Sequence, residues 1–338
     1  MSASIGMRTI QLICTINGLS ITGGYFAEIY QSSYLAADRF SIGLVIGADP
    51  LLTSDYIANL GAENITIGVS IGTADILTAP SKPLISGLID NIDIDFRNNI
   101  VVMSGRDLSA RLIDLETQEN FSNQTSSQIA NFFAESCGLQ SNITRTTTPV
   151  GQYYELTHSS TSLGLHSRRG TAWSFLAWLA DQENFQLSVS GNILNFGPVQ
   201  IPPTALNLNW GTDLISLTID RATGLNAPVV TVHSWNTRAK SAVSASVGSG
   251  VMKTVLIRPN LSADRVQKLA KQAQSTQAMH EILVCGEMPG ETILTPGMTI
   301  NLSGTNSSYD RGYNIVELIR RVDLRSGFSQ NFKAQAIS

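Results

Sequence analysis

The stretch GVSIG at residues 68–72 matches G-x-S-x-G, the pattern of a nucleophile elbow in which a serine attacks an acyl group. Ser70 would be the nucleophile, and three aspartates and His158 follow it in the Ser, Asp, His order of α/β-hydrolases. An elbow needs a helix directly after the serine, but the sequence continues as TADILTAPSKP, which has prolines and no helical periodicity. The pattern therefore favours a strand in which Val69 and Ile71 point inward and Ser70 points outward.

The three aspartates, Asp90, Asp93 and Asp95, offer carboxylate oxygens of the kind that a hard cation prefers. No glycine-centred calcium loop surrounds them, and a strand explains their spacing because its side chains alternate between two faces. After a phase change near Asn91, the alternation predicts that the apolar side chains face the core. These are Ile89, Ile92, Ile94 and Phe96. The residues RNN that follow predict a hairpin turn into IVVMSG.

The remaining chemistry-bearing residues form no catalytic or binding pattern. The histidines do not occur at H-E-x-x-H or H-x-H spacing. They are His158, His166, His233 and His280. The chain also has neither a Walker motif nor G-x-G-x-x-G. We therefore predict no catalytic residue, no cofactor and no metal site, and a structural or assembly role rather than an enzyme.

The composition suits a β-rich protein whose weakly charged faces can be covered by partners. Charged residues make up 14% of the 338 residues, below the roughly 25% of an average soluble protein, and hydrophobic residues make up 43%. The length suggests two or three domains of about 100–200 residues each. The net charge of −4 gives no basic footprint for nucleic-acid binding, and Arg168–Arg169 and Arg320–Arg321 are predicted to be solvated surface charges.

The cysteines Cys14, Cys137 and Cys285 lie far apart between apolar residues, so they are predicted to be buried free thiols in a reducing compartment. The apolar run near the start is broken by Thr15 and no cleavage site follows, so no signal peptide is expected. A run of about 18 apolar residues is absent from the sequence, so no membrane span is expected either.

The coarse pattern predicts strands at both ends of the chain and helices between them. Helices are predicted with N-caps at Thr125 or Ser126, at Thr171 and at Ser262. A hairpin is expected around Gly191–Asn192, and the Ser-, Ala- and Gly-rich residues 239–250 are predicted to form a mobile loop. The tryptophans of the second helix are predicted to fill a core rather than to stack on bases. These are Trp173 and Trp178.

Three stretches, in this order, resemble the phage late-control protein D family. They are LISGLIDNIDIDFRNNIVVMSGRDLSARLID, GTAWSFLAWLADQENFQLSVSGNILNF, and a third that runs from NLSADRVQKLAKQAQ through LTPGMTINLSG to YDRGYNIVELIRRVDLRSGFSQNF. Members of this family are baseplate hubs of contractile phage tails, related to the N-terminal hub part of type VI secretion spike proteins. The resemblance covers residues 10–338, with Asp323 where the family usually has His. The positions that match the family pattern are structural: Gly87, Gly105, Asp107, Gly297, Gly312 and Tyr313.

The resemblance implies a mainly β fold with α/β insertions. Two tail-tube-like β-barrels would occupy residues 8–105 and 201–338, with a small α/β domain at 106–200 between them. The loop 239–250 and a helix at 262–278 would be inserted in the second barrel. Three copies would close into a ring that adapts a sixfold tail tube to a threefold spike.

The resemblance also implies partners: further copies of the chain, a tail tube or tube-initiator protein, a central spike protein, baseplate wedge proteins and a tape measure protein. The chain would belong to a virion made in the host bacterial cytoplasm. DNA would only pass through, so residues lining the bore are expected to be acidic or neutral. The chain reaches Ser338 without a spike-like repeat, so we expect the spike to be a separate polypeptide.

Two alternatives stay open at this point. The same fold would serve as the hub of a tailocin, a gene transfer agent, another injection system or a long flexible tail. From a different class, the chain would be a serine hydrolase that uses Ser70.

Overall fold

The computed structural model describes residues 8–33, 36–73, 76–77, 83–150, 152–154, 159–161, 170–198, 205–222, 229–236, 240–250, 252–259, 261–279 and 282–337. Strands account for 52% of these described residues and helices for 17%, which confirms the mainly β prediction. None of the helices described here is long and apolar enough to cross a membrane.

The described residues form strands β1 to β24 and helices α1 to α5. The strands are β1 (Arg8–Ile16), β2 (Leu19–Ile21), β3 (Gly24–Ser32), β4 (Arg39–Val45), β5 (Asn64–Thr73), β6 (Ile76–Leu77), β7 (Ile85–Asp95), β8 (Ile100–Asp107), β9 (Glu116–Thr117), β10 (Gln140–Ile143), β11 (Gln152–Tyr154), β12 (Ser159–Thr161), β13 (Gly170–Thr171), β14 (Phe185–Ser190), β15 (Ile193–Pro198), β16 (Leu206–Asn209), β17 (Ser216–Arg221), β18 (Val229–Asn236), β19 (Ser241–Val247), β20 (Lys253–Ile257), β21 (Ile282–Pro289), β22 (Thr299–Ser303), β23 (Gly312–Asp323) and β24 (Gly327–Ala336). The helices are α1 (Ser54–Ala58), α2 (Ala110–Asp114), α3 (Ser126–Ser136), α4 (Ala172–Glu183) and α5 (Ala263–Met279).

Eight neighbouring strands form the centre of one large sheet. Their order is β17-β21-β24-β23-β3-β4-β8-β7, and each is antiparallel to its neighbours. The strands β5, β1 and β2 continue the sheet beyond β7. Pairing of β3 with β23 joins strands of the predicted first barrel to strands of the predicted second barrel. No closed barrel is found among the described residues, so the two barrels stay a prediction.

One face of the eight strands is buried on two hydrophobic cores. The core beneath β3, β4, β8 and β7 includes Ile29 and Met103, and the core beneath β21, β24 and β23 includes Val284, Leu318 and Phe332. Burial alternates with a period of two along β8 and β24, as expected where only one face of a sheet is covered. The opposite face of the same strands is more open and carries both polar side chains and some apolar ones, such as Ile319.

Both helical insertions leave the sheet at the same end. Asp107 ends β8 and leads into α2, while Arg221 ends β17 opposite Ile282, which begins β21. Strand pairing places these residues in line with the start of β4 and the end of β24, so we call this side the insertion end. The other side carries the β7–β8 turn at residues 96–99 and the β23–β24 turn at 324–326, and we call it the turn rim.

The first insertion contains the two predicted helices. The side chain of Thr125 accepts from the Gln128 backbone N–H at the start of α3, and Thr171 accepts from Ser174 at the start of α4, which confirms both caps. Trp173 is buried in the core of this insertion, as predicted. The expected hairpin is also present as β14 and β15.

The second insertion is a three-stranded sheet, β19-β18-β20, with α5 on one face. The predicted apolar stripe of α5 is confirmed, since Val266 and Ala270 are fully buried against Val230 and Val232. The predicted mobile loop at 239–250 is wrong, because residues 241–247 pair with β18 as strand β19. The Ser- and Ala-rich composition of this segment suggests a linker, but small side chains also occur along an edge strand.

Some of the other predictions from the sequence are confirmed and some are wrong. The phase change near Asn91 is a bulge between Ile89 and Asn91. Phe96 was predicted to be inward, but it lies in the turn after β7 and is 69% exposed. Cys14 is buried as predicted, and burial raises the pKa of its thiol to about 12, whereas Cys285 is exposed on β21.

Glycine is required where β7 and β8 pair at the insertion end. A Cβ on Gly105 would overlap the carbonyl oxygen of Leu88, and one on Gly87 would overlap the carbonyl oxygen of Arg106. Both obstacles are backbone atoms of the paired strand, so neither can rotate away. Close approach of two strands, rather than an unusual backbone angle, explains these two positions.

We expect Gly105→Ala to lower the free energy of unfolding by about 2 kcal/mol or more, because the added methyl group must push β7 away from β8. Gly61→Ala is the matched control: a Cβ there meets no atom within 4 Å, so its effect should stay within about 0.5 kcal/mol. Chemical denaturation of both variants measures this. Equal stability of the two variants would contradict the close approach.

Candidate functional site

One broad surface of the fold is the open face of the eight strands from β17 to β7. It is formed by side chains that point away from the two cores, such as Thr218, Glu287, Asn331, Tyr30 and Ser104. A concave region of about 290 Å³ lies over β17, β21, β24 and β23. Its lining mixes polar and apolar side chains, among them Cys285, Glu287, Glu317, Ile319, Phe332 and Lys333.

Two basic side chains on the open face, one on β23 and one on β24, lie in ion pairs across neighbouring strands. Arg321 Nη2 is 3.2 Å from Glu28 Oε1, which joins β23 to β3. Lys333 Nζ is 3.6 Å from Glu317 Oε1, which joins β24 to β23. Exposed pairs of this kind contribute about 0–1 kcal/mol each, so their main effect is to cancel positive charge on this face.

Arg106 bonds with two aspartates near the insertion end. Its Nε lies 2.7 Å from Asp90 Oδ2 and its Nη2 lies 2.9 Å from Asp114 Oδ2, and these hydrogen bonds raise the pKa of Arg106. Asp90 therefore binds a guanidinium, while Asp95 accepts backbone N–H groups in the β7–β8 turn. The described residues contain no group of three or more His, Cys, Asp or Glu that could hold a metal ion.

A buried arginine lies where the two halves of the sheet meet. Arg320 was predicted to be a solvated charge, but it is only 2% exposed, so that prediction is wrong. It donates from Nη1 to Gln31 Oε1 and from Nη2 to the Leu294 carbonyl oxygen. Its Nε has no hydrogen-bond partner among the described residues, and burial lowers its pKa to about 10. The guanidinium therefore connects β23, β3 and the segment after β21.

Asp38 supplies the negative charge near this arginine. Its Oδ2 accepts from Gln31 Nε2 at 3.1 Å and its Oδ1 accepts from the Ser32 N–H at 3.0 Å. Burial raises the pKa of this carboxyl, and the two hydrogen bonds and the charge of Arg320 oppose that rise. A charge pair that is taken out of water stabilises only if both partners stay satisfied, so this junction depends on each of its members.

Asp107 extends the junction toward the first insertion. Its backbone N–H donates to the Asp38 carbonyl oxygen at 3.0 Å, and its Oδ1 accepts from Ser109 Oγ at 2.5 Å. Burial raises the pKa of Asp107 to about 7, and the neighbouring charge of Asp38 adds to the rise. The sequence singled out Asp107 through the family pattern, and the structure places it directly beside the junction.

Three of the family-pattern positions lie in the second half. Gly297 adopts φ +85° in the turn before β22, and its N–H donates to the Ile315 carbonyl oxygen at 2.7 Å. Tyr313 is fully buried, and its hydroxyl donates to the Tyr309 carbonyl oxygen at 2.9 Å. Gly312 pairs with Asn301. The structural role of these residues stays a prediction from the resemblance.

The surroundings of Ser70 lack the geometry of a nucleophile elbow. Residues 68–72 lie wholly within β5, where Ser70 is opposite Gln11 of β1, and Gly72 pairs onward with Leu77 of β6. Val69 is 1% exposed, as the strand interpretation predicted. The side chain of Ser70 lies outside the described residues, as do all of His158, His166 and His280. The fourth histidine, His233, is described and is exposed on β18.

Solved structures resemble this whole chain rather than a part of it. A 43 kDa tail protein from prophage MuSo2 of Shewanella oneidensis superimposes with a TM-score of 0.73, at 14% identity, over 96% of this chain and 98% of that one. A tail protein from Neisseria meningitidis gives 0.73 and 14%, over 97% and 96%. The chain has the fold of phage tail proteins.

This tail-protein fold extends beyond phages. The c3393 protein of E. coli, a type VI secretion system component described as similar to the T4 tail proteins gp27 and gp5, superimposes with a TM-score of 0.60 at 12% identity, over 96% of this chain and 77% of that one. A scan with protein-family models finds no match to the sequence, and neither does a search of curated proteins. At such identities the tail-protein fold is shown, while the role of the chain has to be argued from its own surfaces.

Sequence reasoning missed the junction of Arg320 and Asp38, although a signal was present. Apolar residues alternate along β23 at Leu318 and Val322, and Arg320 occupies the inward position between them. An arginine in an inward row of a strand is a buried arginine, and its partner has to come from elsewhere in the chain. The sequence gives no means to see that this partner lies on the β3–β4 connection.

We expect Arg320→Met to lower the free energy of unfolding by about 3 kcal/mol, because it leaves Gln31 Oε1 and the Leu294 carbonyl oxygen without their buried donor and removes the positive charge near the partly buried Asp38. Arg321→Met is the matched control on the adjacent residue. Its guanidinium is exposed and paired only with Glu28, so its loss should cost less than about 1 kcal/mol. Urea denaturation of both variants measures the difference, and similar losses would show that the junction does not hold the halves together.

We expect stability to fall as the pH rises through the range in which Asp107 ionises. In the unfolded chain its carboxyl titrates near 3.8, whereas in the fold it holds its proton up to about pH 7, so the free energy of unfolding decreases between these values. Asp107→Asn cannot ionise and should be more stable than the wild type at pH 8 by about 1–3 kcal/mol, with the gain vanishing toward pH 4. The exposed Asp93→Asn is the control. An Asp107→Asn variant that is less stable at pH 8 would contradict a costly buried carboxylate.

Proposed function

We propose that this chain is the structural hub of a contractile phage tail, in which several copies form a ring between the tail tube and the spike. The observation that carries the proposal is the eight-stranded open sheet, because it consists of two equivalent four-stranded units. The tail-protein fold supports this role, and the open face without catalytic geometry agrees with it.

The two units have the same order and polarity. In the first, β17, β21, β24 and β23 alternate in direction, and in the second, β3, β4, β8 and β7 do the same. In each unit the hairpin of the last two strands turns at the turn rim. A ring of three chains therefore presents six such units, which is the geometry needed to adapt a sixfold tube to a threefold spike.

The outer edges of the two units fit each other in neighbouring copies. β17 is paired on one side only, and β7 pairs with β5 only at residues 85–88, so residues 91–95 have an unpaired edge among the described strands. β17 and β7 run in opposite directions because an even number of antiparallel strands separates the two ends of the run. Rotation about a common axis would therefore bring β17 of one copy antiparallel to β7 of the next and close the ring without a free edge.

The open face would line the bore of this ring. Its Arg106, Arg321 and Lys333 lie in ion pairs with aspartate or glutamate, so much of the positive charge that would retain phosphate groups is cancelled, while Arg39 lies over the Tyr30 ring. DNA would pass without being bound. The remaining partners would be the tube or tube-initiator protein, the spike, wedge proteins and the tape measure protein, in a virion assembled in the host cytoplasm.

A second candidate function is the same ring in a different kind of assembly. The resemblance to a type VI secretion component favours a hub of another contractile injection system, such as a tailocin. Neighbouring genes separate the two: capsid and terminase genes beside this one indicate a phage, whereas a sheath gene without capsid genes indicates an injection system.

Disulfide cross-linking tests the ring. Asp93→Cys on β7 is combined in turn with Ser216→Cys, Thr218→Cys or Asp220→Cys on β17, in a Cys285→Ser background. Within one chain the two strands are separated by seven strand spacings, about 34 Å, which no disulfide can bridge. Oxidation of the purified chain or of assembled tails should give covalent dimers and trimers for at least one pair.

Asp93→Cys alone is the control and should give no trimer. A ladder that continues beyond three chains would indicate an open filament rather than a ring. If all three pairs remain monomeric in assembled tails, the proposed β17–β7 contact is wrong.

A further inference from the structure

The two turns at the turn rim have the same construction. Residues 95–98 are Asp-Phe-Arg-Asn and residues 323–326 are Asp-Leu-Arg-Ser. Asp95 Oδ1 accepts from the backbone N–H of Arg97 at 2.9 Å and of Asn98 at 3.1 Å. Each turn thus starts with an aspartate that is followed by a large apolar residue and an arginine.

The second turn repeats these bonds. Asp323 Oδ1 accepts from the backbone N–H of Arg325 at 2.7 Å and of Ser326 at 3.0 Å. These bonds lower the pKa of Asp323, so its carboxylate stays ionised and engaged within the turn. The aspartate at 323, where the resembling family usually has His, is thereby explained as the residue that shapes this turn.

Both turns present their apolar residue to solvent. Phe96 is 69% exposed and Leu324 is 66% exposed, and Arg97 and Arg325 beside them are exposed as well. Neither apolar side chain contributes to a core, although each is large enough to gain by burial. Two similar turns that both expose a large apolar residue next to an arginine point to a surface that is covered by a partner.

The distance between the two turns equals the distance between equivalent points of the two four-stranded units. One lies between β24 and β23 and the other between β8 and β7, so four strand spacings, about 19 Å, separate them along the rim. If copies join from β7 to β17, the next turn follows after four more strands. All turns of the ring are then equally spaced, two to a chain.

We propose that Phe96–Arg97 and Leu324–Arg325 are equivalent docking points for a coaxial ring of identical subunits, the tail tube, with one tube subunit at each turn. This rests on the proposed hub function. Each tube subunit would supply an apolar socket flanked by a carboxylate, which receives the apolar side chain and pairs with the arginine. A threefold spike would offer one site per chain and would therefore use the two turns unequally, whereas a sixfold tube uses them alike.

The test measures binding of the purified chain to the purified tube protein of the same particle by analytical ultracentrifugation or biolayer interferometry. Phe96→Ser and Leu324→Ser should each weaken binding by about tenfold or more, and by similar factors, and the double variant should lose more than either. Arg97→Glu with Arg325→Glu should also weaken binding. Because all these side chains are exposed, the midpoint of thermal unfolding should stay at the wild-type value.

Ile257→Ser is the matched control, since Ile257 is 73% exposed on β20 of the second insertion and away from the turn rim. Binding of the double variant with wild-type affinity would overturn the inference and leave the hub function intact. Loss that comes from one turn alone, or loss of spike binding instead of tube binding, would also overturn it. A wild-type chain that binds no tube protein would instead overturn the proposed hub function.

Discussion

The antiparallel pairing of β3 with β23 is the contact on which the rest of the structure depends. It joins the first and last parts of the chain into one sheet, and it places Arg320 in a buried position that only a hydrogen-bonded site can tolerate. Gln31, the Leu294 carbonyl and Asp38 meet that requirement from different segments. An apolar side chain at this position could pack in many arrangements of the two halves. A buried guanidinium needs hydrogen-bond acceptors at set positions, so few arrangements suit it. The junction therefore also fixes how the two halves meet.

Much of the local structure could be predicted because it depends on short-range patterns. Thr125 and Thr171 cap helices through bonds to residues three positions away, and the alternation in β7 reflects a single exposed face. The bulge at Asn91 was visible as a change of phase. The failures are of another kind. Phe96 continues the alternation of β7 but lies one residue past its end, where the chain turns, and residues 241–247 carry small side chains that suit a loop as well as a strand.

Long-range relations were beyond the sequence for a physical reason. Apart from the Asp-apolar-Arg sequence of the two turns, the equivalence of the two four-stranded units has no counterpart in a repeat of residues, because a strand needs only alternation and not a particular side chain at each position. Only the strand order shows that β23–β24 and β7–β8 occupy the same place in their units. The candidate site could not be predicted for the same reason, since its open face is assembled from strands far apart in the chain.

Both insertions leave the sheet at one end, so the two ends of the molecule differ in relief. On one side the described helices and small sheets of the two insertions form a collar, while the other side carries the β7–β8 and β23–β24 turns and the start of the connection 46–63, which contains the short helix α1. In the proposed ring this makes the two openings unlike. A subunit of constant height can stack flush on the shallow side, but on the collared side it would meet protruding domains first. The assembly would then act as a one-sided seed: it sets not only the diameter of whatever is built on it but also the direction in which building proceeds.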